Sequence, residues 1–152
     1  MNVQPATVAA IMEAPEFAAL VAEYAAESAI DGLPPPQARM SQYRDLEAAG
    51  LLRAFAAITD AGELAGFISV LSAPLPHYGR TVAVSESFFV GRAHRASLAG
   101  LKLLVAAEAE TATIAAPGTL VSAPYGSKLA ELLPKCGYVP TNVVFFKKVA
   151  HG

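Results

Sequence analysis

Apolar side chains at Phe17, Leu20, Val21 and Tyr24 recur at helical spacing, which predicts a helix over residues 15–29 with one apolar face. Pro15 suits its first turn, where an N–H has no helical partner. Asp31-Gly32 stops it, Pro34-Pro35-Pro36 forms a stiff extended connector, and a second helix over 37–49 ends at Gly50. From residue 51 the period shortens. Residues 51–59 and 64–72 read as strands joined through Asp60-Ala61-Gly62, where glycine supplies a positive φ. After a break at 74–79, residues 81–90 read as a third, long strand. Strict alternation puts Val82, Val84, Glu86, Phe88 and Val90 on one face and Ser85, Ser87 and Phe89 on the other. A helix over 98–113 follows, with Leu101, Leu104, Val105 and Glu108 at helical spacing. Residues 120–123 make a short strand. Ser127 is the expected N-cap of a helix that ends near Cys136 and Gly137 and buries Leu129, Leu132 and Leu133. Residues 143–149 are the expected closing strand. The order predicts one α/β (α+β) domain over 1–152, a mixed sheet with helices packed on it.

Composition narrows the class. Hydrophobic residues are 54% and charged residues 16% of 152, enough to bury a core and too apolar for disorder. Much of that fraction is alanine, and no run of about 18 residues lacks a polar interruption, so a membrane span is not expected. The net charge of −2 argues against a nucleic-acid-coating protein but leaves room for a small basic groove. No basic patch precedes an apolar run at the N-terminus, so no secretory signal is expected. Cys136 is the single cysteine, which excludes an intrachain disulfide and suits the cytoplasm. His77, His94 and His151 have no ligand spacing, so no metal is expected. The apolar composition is compatible with a homodimer.

The informative stretch is E-S-F-F-V-G-R-A-H-R-A-S-L-A-G-L-K-L-L, Glu86 to Leu104. A strand runs into a loop holding Gly91, Arg92, His94 and Arg95, and the loop opens a helix through Ala96, Ser97, Ala99 and Gly100. The first amides of a helix lack internal partners and the helix dipole adds positive potential, so this is an anion cradle. Small side chains let a diphosphate approach the backbone.

This stretch resembles motif A of the GNAT superfamily of N-acetyltransferases, whose loop reads R/Q-x-x-G-x-G/A. Arg95, Leu98 and Gly100 occupy its three key positions, with Leu98 where the family has its first glycine. The order of helices and strands and the K-C-G-Y segment at Lys135–Tyr138 also follow the family layout, over about residues 15–147. The V-G-R-A-H-R loop and the P-H-Y-G segment look closest to members from bacteria and their phages. The resemblance implies a mixed, mostly antiparallel sheet with helices on both faces and a splayed strand pair for acyl-CoA. Acetyl-CoA is the implied co-substrate. Its pantetheine arm would lie along Phe88, Phe89 and Val90, and its pyrophosphate on Arg95, Ala96, Ser97, Leu98, Ala99 and Gly100, with Arg92 beside the 3′-phosphate or in solvent. Direct transfer needs a base, an oxyanion donor (a backbone N–H near Phe89) and an acid for the thiolate. Glu86 is the first candidate base, a carboxylate expected to be partly desolvated in its strand, and His77 the second. Tyr125 and Tyr138 are the candidate acids. The implied acceptor is a small-molecule amine or a protein amino group. A non-catalytic GNAT-like domain that binds CoA or a partner is the alternative, and a nucleotide-binding module a distant third, since neither G-x-x-x-x-G-K-[ST] nor G-x-G-x-x-G occurs.

Overall fold

The computed structural model describes residues 1–34 and 37–149; Pro35 and Pro36 of the expected connector, and His151, lie outside it. The elements run β1 (Asn2–Ala6), α1 (Val8–Glu13), α2 (Phe17–Ser28), α3 (Met40–Ala48), β2 (Leu52–Ile58), β3 (Leu64–Leu75), β4 (Arg80–Val90), a 3₁₀ turn (Arg92–His94), α4 (Ala99–Thr113), β5 (Thr119–Leu120), α5 (Lys128–Leu132) and a 3₁₀ turn (Leu133–Cys136). The five strands form one sheet in the order β1-β2-β3-β4-β5, antiparallel except for the β4–β5 pair.

Helices cover both faces. Ile68 and Val70 of β3 pack with Leu103, Leu104 and Ala107 of α4 on one side. Phe67 of β3 and Phe89 of β4 pack with Leu20 of α2 and with Val8 and Ile11 of α1 on the other. This explains why β3 is buried continuously from Leu64 to Val70 rather than at every second residue. Thr7 caps α1 by accepting from the Ala10 amide at 3.0 Å, and Ser127 caps α5 as expected, accepting from Ala130 at 3.2 Å. Gly137 ends the last turn at φ 88°.

Four expectations change. β1 and α1 were not legible: β1 is an edge strand containing Pro5, a residue tolerated there because an edge need not donate to the ladder. Leu101 and Val105 of α4 face solvent, while Ala99, Leu103, Leu104, Ala107 and Thr111 are buried. With alanine all round the helix, periodicity did not single out the buried stripe. Residues 143–149 form no strand, and Val144 and Phe145 are 92% and 90% exposed.

The fourth change bears on the site. Ser87 pairs with Ser69 and Ser85 pairs with Val70, so Glu86 is an extra residue in a β-bulge. The bulge inverts the alternation of β4. Ala83 before it and Phe88 and Val90 after it all lie on the α4 face, while Phe89 lies on the α2 face. The single-face grouping of Val82 through Val90 therefore does not hold.

Candidate active site

β4 pairs with β5 at only two positions, Ala83 with Thr119 and Val84 with Leu120. Beyond Val84, β4 continues through the Glu86 bulge to Val90 with no β5 partner, while the chain after Leu120 leaves the sheet. Neighbouring parallel strands thus part company beside the bulge, and the open edge of β4 leads to the loop that begins α4.

That loop is held by ion pairs and backbone contacts. The Gly91 amide donates to the Ala65 carbonyl at 2.9 Å. A Cβ at Gly91 would stand 2.6 Å from Leu20 Cδ2, so the α2 side chain lies against the bare backbone. The Arg92 amide donates to Glu23 Oε2 at 3.0 Å. Arg92 Nε and Arg95 Nη2 donate to the two oxygens of Glu27 at 2.8 and 2.7 Å. Arg95 also donates from Nε to the Val90 carbonyl at 3.0 Å and stacks over Phe89 at 5.2 Å. Hydrogen bonding from Arg95 is the main reason Glu27 is held below the usual carboxylate range. Arg95 was expected at a phosphate; its guanidinium instead faces α2 and β4.

The backbone amides divide into two groups. Those of Arg95, Ser97 and Ala99 are taken by Arg92 O, His94 O and Ser97 Oγ. Those of Ala96, Leu98, Gly100 and Leu101 make no protein hydrogen bond among the described residues. Leu98 stands at φ −83°, backbone that any residue adopts, and its side chain is 61% exposed. It therefore replaces a glycine without strain and turns toward solvent. A Cβ at Gly100 would touch only Val90 Cγ2 and Phe88 Cζ at 3.8–3.9 Å. Four open amides at a helix start, beside an unpaired strand edge, fit the diphosphate and arm of a CoA thioester.

On the opposite face, a cavity of about 330 Å³ lies between α1–α3 and the sheet, lined by residues that include Phe17, Tyr24, Met40, Tyr43, Phe67 and Ser87. Tyr43 reaches from its wall and donates to Glu86 Oε1 at 3.3 Å. Burial, then the charge and hydrogen bond of Glu86, push the Tyr43 phenol up to about 12. Tyr24 stacks on Phe89 with ring centres 5.1 Å apart. Its phenol is raised by burial, drawn back by a hydrogen bond with the Phe88 backbone, and raised again by Glu86. Glu86 itself is exposed, not desolvated as expected, because the bulge swings it out of the pleat. Tyr24 and Tyr43, which line this cavity, are not among the residues the sequence singles out as candidates. The only signal was that Tyr24 shares the apolar stripe of its helix, which reads as core.

The remaining candidates separate. His77 is exposed in the β3–β4 turn, edge-on to Tyr78, and roughly 20 Å of strand lies between that turn and Glu86. Tyr125 is 99% exposed at the turn before α5. Tyr138 is half-buried and donates to Glu108 Oε1 of α4 at 2.9 Å; burial and that carboxylate push its phenol up. Among the described residues no group of three His, Cys, Asp or Glu is placed to hold a metal ion.

The bulged, splayed strand, the open helix start and the two-faced sheet define the GNAT acetyltransferase fold, and the chain has that fold. Solved structures agree across the whole length. A ribosomal-protein-alanine N-acetyltransferase from Brucella melitensis biovar Abortus 2308 is 18% identical with a TM-score of 0.67, covering 97% of this chain and 98% of its own. An acetyltransferase from Trypanosoma brucei is 12% identical with a TM-score of 0.70, covering 97% and 99%. An aminoglycoside antibiotic 6′-N-acetyltransferase from Acinetobacter haemolyticus is 18% identical with a TM-score of 0.66, covering 99% and 100%. No protein-family model and no curated protein sequence matches the chain.

Proposed function

We propose that the protein is an acetyl-CoA-dependent N-acetyltransferase that moves an acetyl group directly to an amine. The observation that carries this reading is the loss of β5 as a partner after Val84, next to the open amides of Ala96, Leu98, Gly100 and Leu101. Bound acetyl-CoA supplies the activated thioester. The amides orient its diphosphate, and the open edge of β4 from Glu86 to Val90 takes the arm. Glu86 stands between this gap and the cavity that opens toward Tyr43, so the acceptor nitrogen enters from the α2 face while the thioester enters from the edge. Glu86 takes the ammonium proton, the carbon–nitrogen bond forms as the carbon–sulfur bond breaks, and the thiolate collects a proton. Tyr138 and Tyr125 are the candidates for that proton: Tyr138 would have to give up its hydrogen bond to Glu108 to deliver it, while Tyr125 stands in solvent. The same fold in a ribosomal-protein-alanine and an aminoglycoside N-acetyltransferase supports an amine acceptor. The exposed apolar segment at 143–149 supports self-association as a homodimer, and the single cysteine supports a cytoplasmic setting.

Acetyl-CoA at about 100 times its dissociation constant should stabilise the fold by about 2.7 kcal/mol, read as a rise in Tm. Glu86→Gln should keep that rise and lower kcat/KM by about 10²–10⁴. A Tm rise with no turnover on any amine would leave a non-catalytic CoA-binding domain. No Tm rise with any acyl-CoA would end the acyl-transfer reading.

A further inference from the structure

We infer that the acceptor is a small primary monoamine with an apolar or aromatic body, seated in the cavity between α1–α3 and the sheet with its nitrogen at the Glu86–Tyr43 end. The inference rests on the acyl-transfer reading above and names the acceptor class of that site.

Three observations carry it. The first is the wall: among the described residues none that lines the cavity is Asp, Glu, Lys, Arg or His, and most are aliphatic or aromatic. A ligand with several ammonium groups would bury charges without partners, which costs far more than its contacts return. The second is that the hydroxyls on the wall are already engaged. The hydroxyls of Ser69 and Ser87 bind each other at 2.7 Å. Ser28 donates to the Tyr24 carbonyl at 2.8 Å, Tyr24 meets the Phe88 backbone, and Tyr43 donates to Glu86. A polyol would therefore give up water hydrogen bonds with little to replace them, at about 1–3 kcal/mol for each buried group. The third is charge. Among the described residues two carboxylates accept hydrogen bonds from wall residues. Glu47 is committed to the Val8 amide at 2.9 Å, while Glu86 receives, among the described residues, only the 3.3 Å bond from Tyr43 and is exposed beside the β4 gap. A single ammonium is thus matched at one end of an apolar space. The volume, about 330 Å³, is at the low end for small-molecule sites. It suits a compact body and not an oligosaccharide.

The test measures Tm shifts with phenethylamine, spermidine, kanamycin and a short peptide with N-terminal alanine, each with and without acetyl-CoA, together with CoA release. Phenethylamine is expected to raise Tm and to be acetylated with a kcat/KM at least about tenfold above the other three, the effect of one matched charged hydrogen bond and no stranded polar groups. Ala25→Trp, which fills the cavity from α2, is expected to abolish the phenethylamine shift and preserve the acetyl-CoA shift. The proposal is overturned if phenethylamine gives no shift, if its shift survives Ala25→Trp, or if spermidine, kanamycin or the peptide is the preferred acceptor. A phenethylamine shift lost in Ala25→Trp, with no acetyl-CoA shift in either protein, would support the cavity's amine class and overturn acyl transfer.

Discussion

Glu27 binds Arg92 and Arg95 at once, and through them it ties α2 to the loop that opens α4. Because α2 also lines the cavity, the carboxylate physically links the cavity wall to the loop with the open amides. Both ion pairs are largely exposed, so their contribution to stability is expected to be small. Its pH dependence has a definite sign. Glu27 is held below the usual carboxylate range, chiefly by the hydrogen bond from Arg95. The stabilisation is therefore complete at neutral pH and disappears as pH falls through and below that range. Glu27→Gln should have a lower Tm than the parent at pH 7, and the gap should close in acid; a gap that persists in acid would mean the loop is held by something else. Arg92 and Arg95 were legible as basic residues beside a helix start. Their orientation was not, because Glu27 is some 65 residues away in the chain and only folding brings it near.

Two glycines separate packing from chemistry at the level of the elements. A Cβ at Gly66 of β3 would fall 2.5 Å from the Phe89 carbonyl of β4, a backbone atom that cannot step aside. Gly66→Ala should destabilise by about 1–3 kcal/mol in chemical denaturation. Gly100 lies in the first turn of α4 with room around it, so Gly100→Ala should stabilise slightly, by about 0.4–1 kcal/mol, while narrowing the approach to the open amides. A higher Tm with a smaller acetyl-CoA shift is the expected signature; an unchanged acetyl-CoA shift would place the diphosphate elsewhere. The strand, loop and helix from Glu86 to Leu104 were all legible, since long periodic segments and the R-A-S-L-A-G run identify them locally. The bulge was not. Glu86 looks like one more member of an alternating strand until the register against Ser69 and Val70 is known.

Over the whole molecule, the sheet separates two chemistries. Its α4 face carries the main core and the loop for an anion, and its α1–α3 face carries the apolar cavity. The segment at 143–149, with its strand-like V-V-F-F-K-K pattern, pairs with neither edge. Phe146 and Lys148 lie beside Gly32 in the α2–α3 connection, while Phe145 stands in solvent. Phe145→Ser should change the stability of the single chain by less than about 0.5 kcal/mol, and on the homodimer proposed above it should lower association in sedimentation; an unchanged sedimentation profile would take this segment out of the dimer contact. By itself the sequence determined the mixed α/β class, the caps at Ser127 and Gly137, and the place where a helix start offers amides to an anion. All of these are set by neighbours in the chain, through periodicity, backbone preference and the absence of helical partners for first-turn N–H groups. Tertiary structure alone decided that β4 bulges at Glu86, that β5 leaves it after Val84, that Tyr43 reaches Glu86, and that Glu27 holds both arginines. Each of these depends on register or on contacts between distant segments, and the energies that select among such pairings are properties of the packed fold rather than of any local stretch.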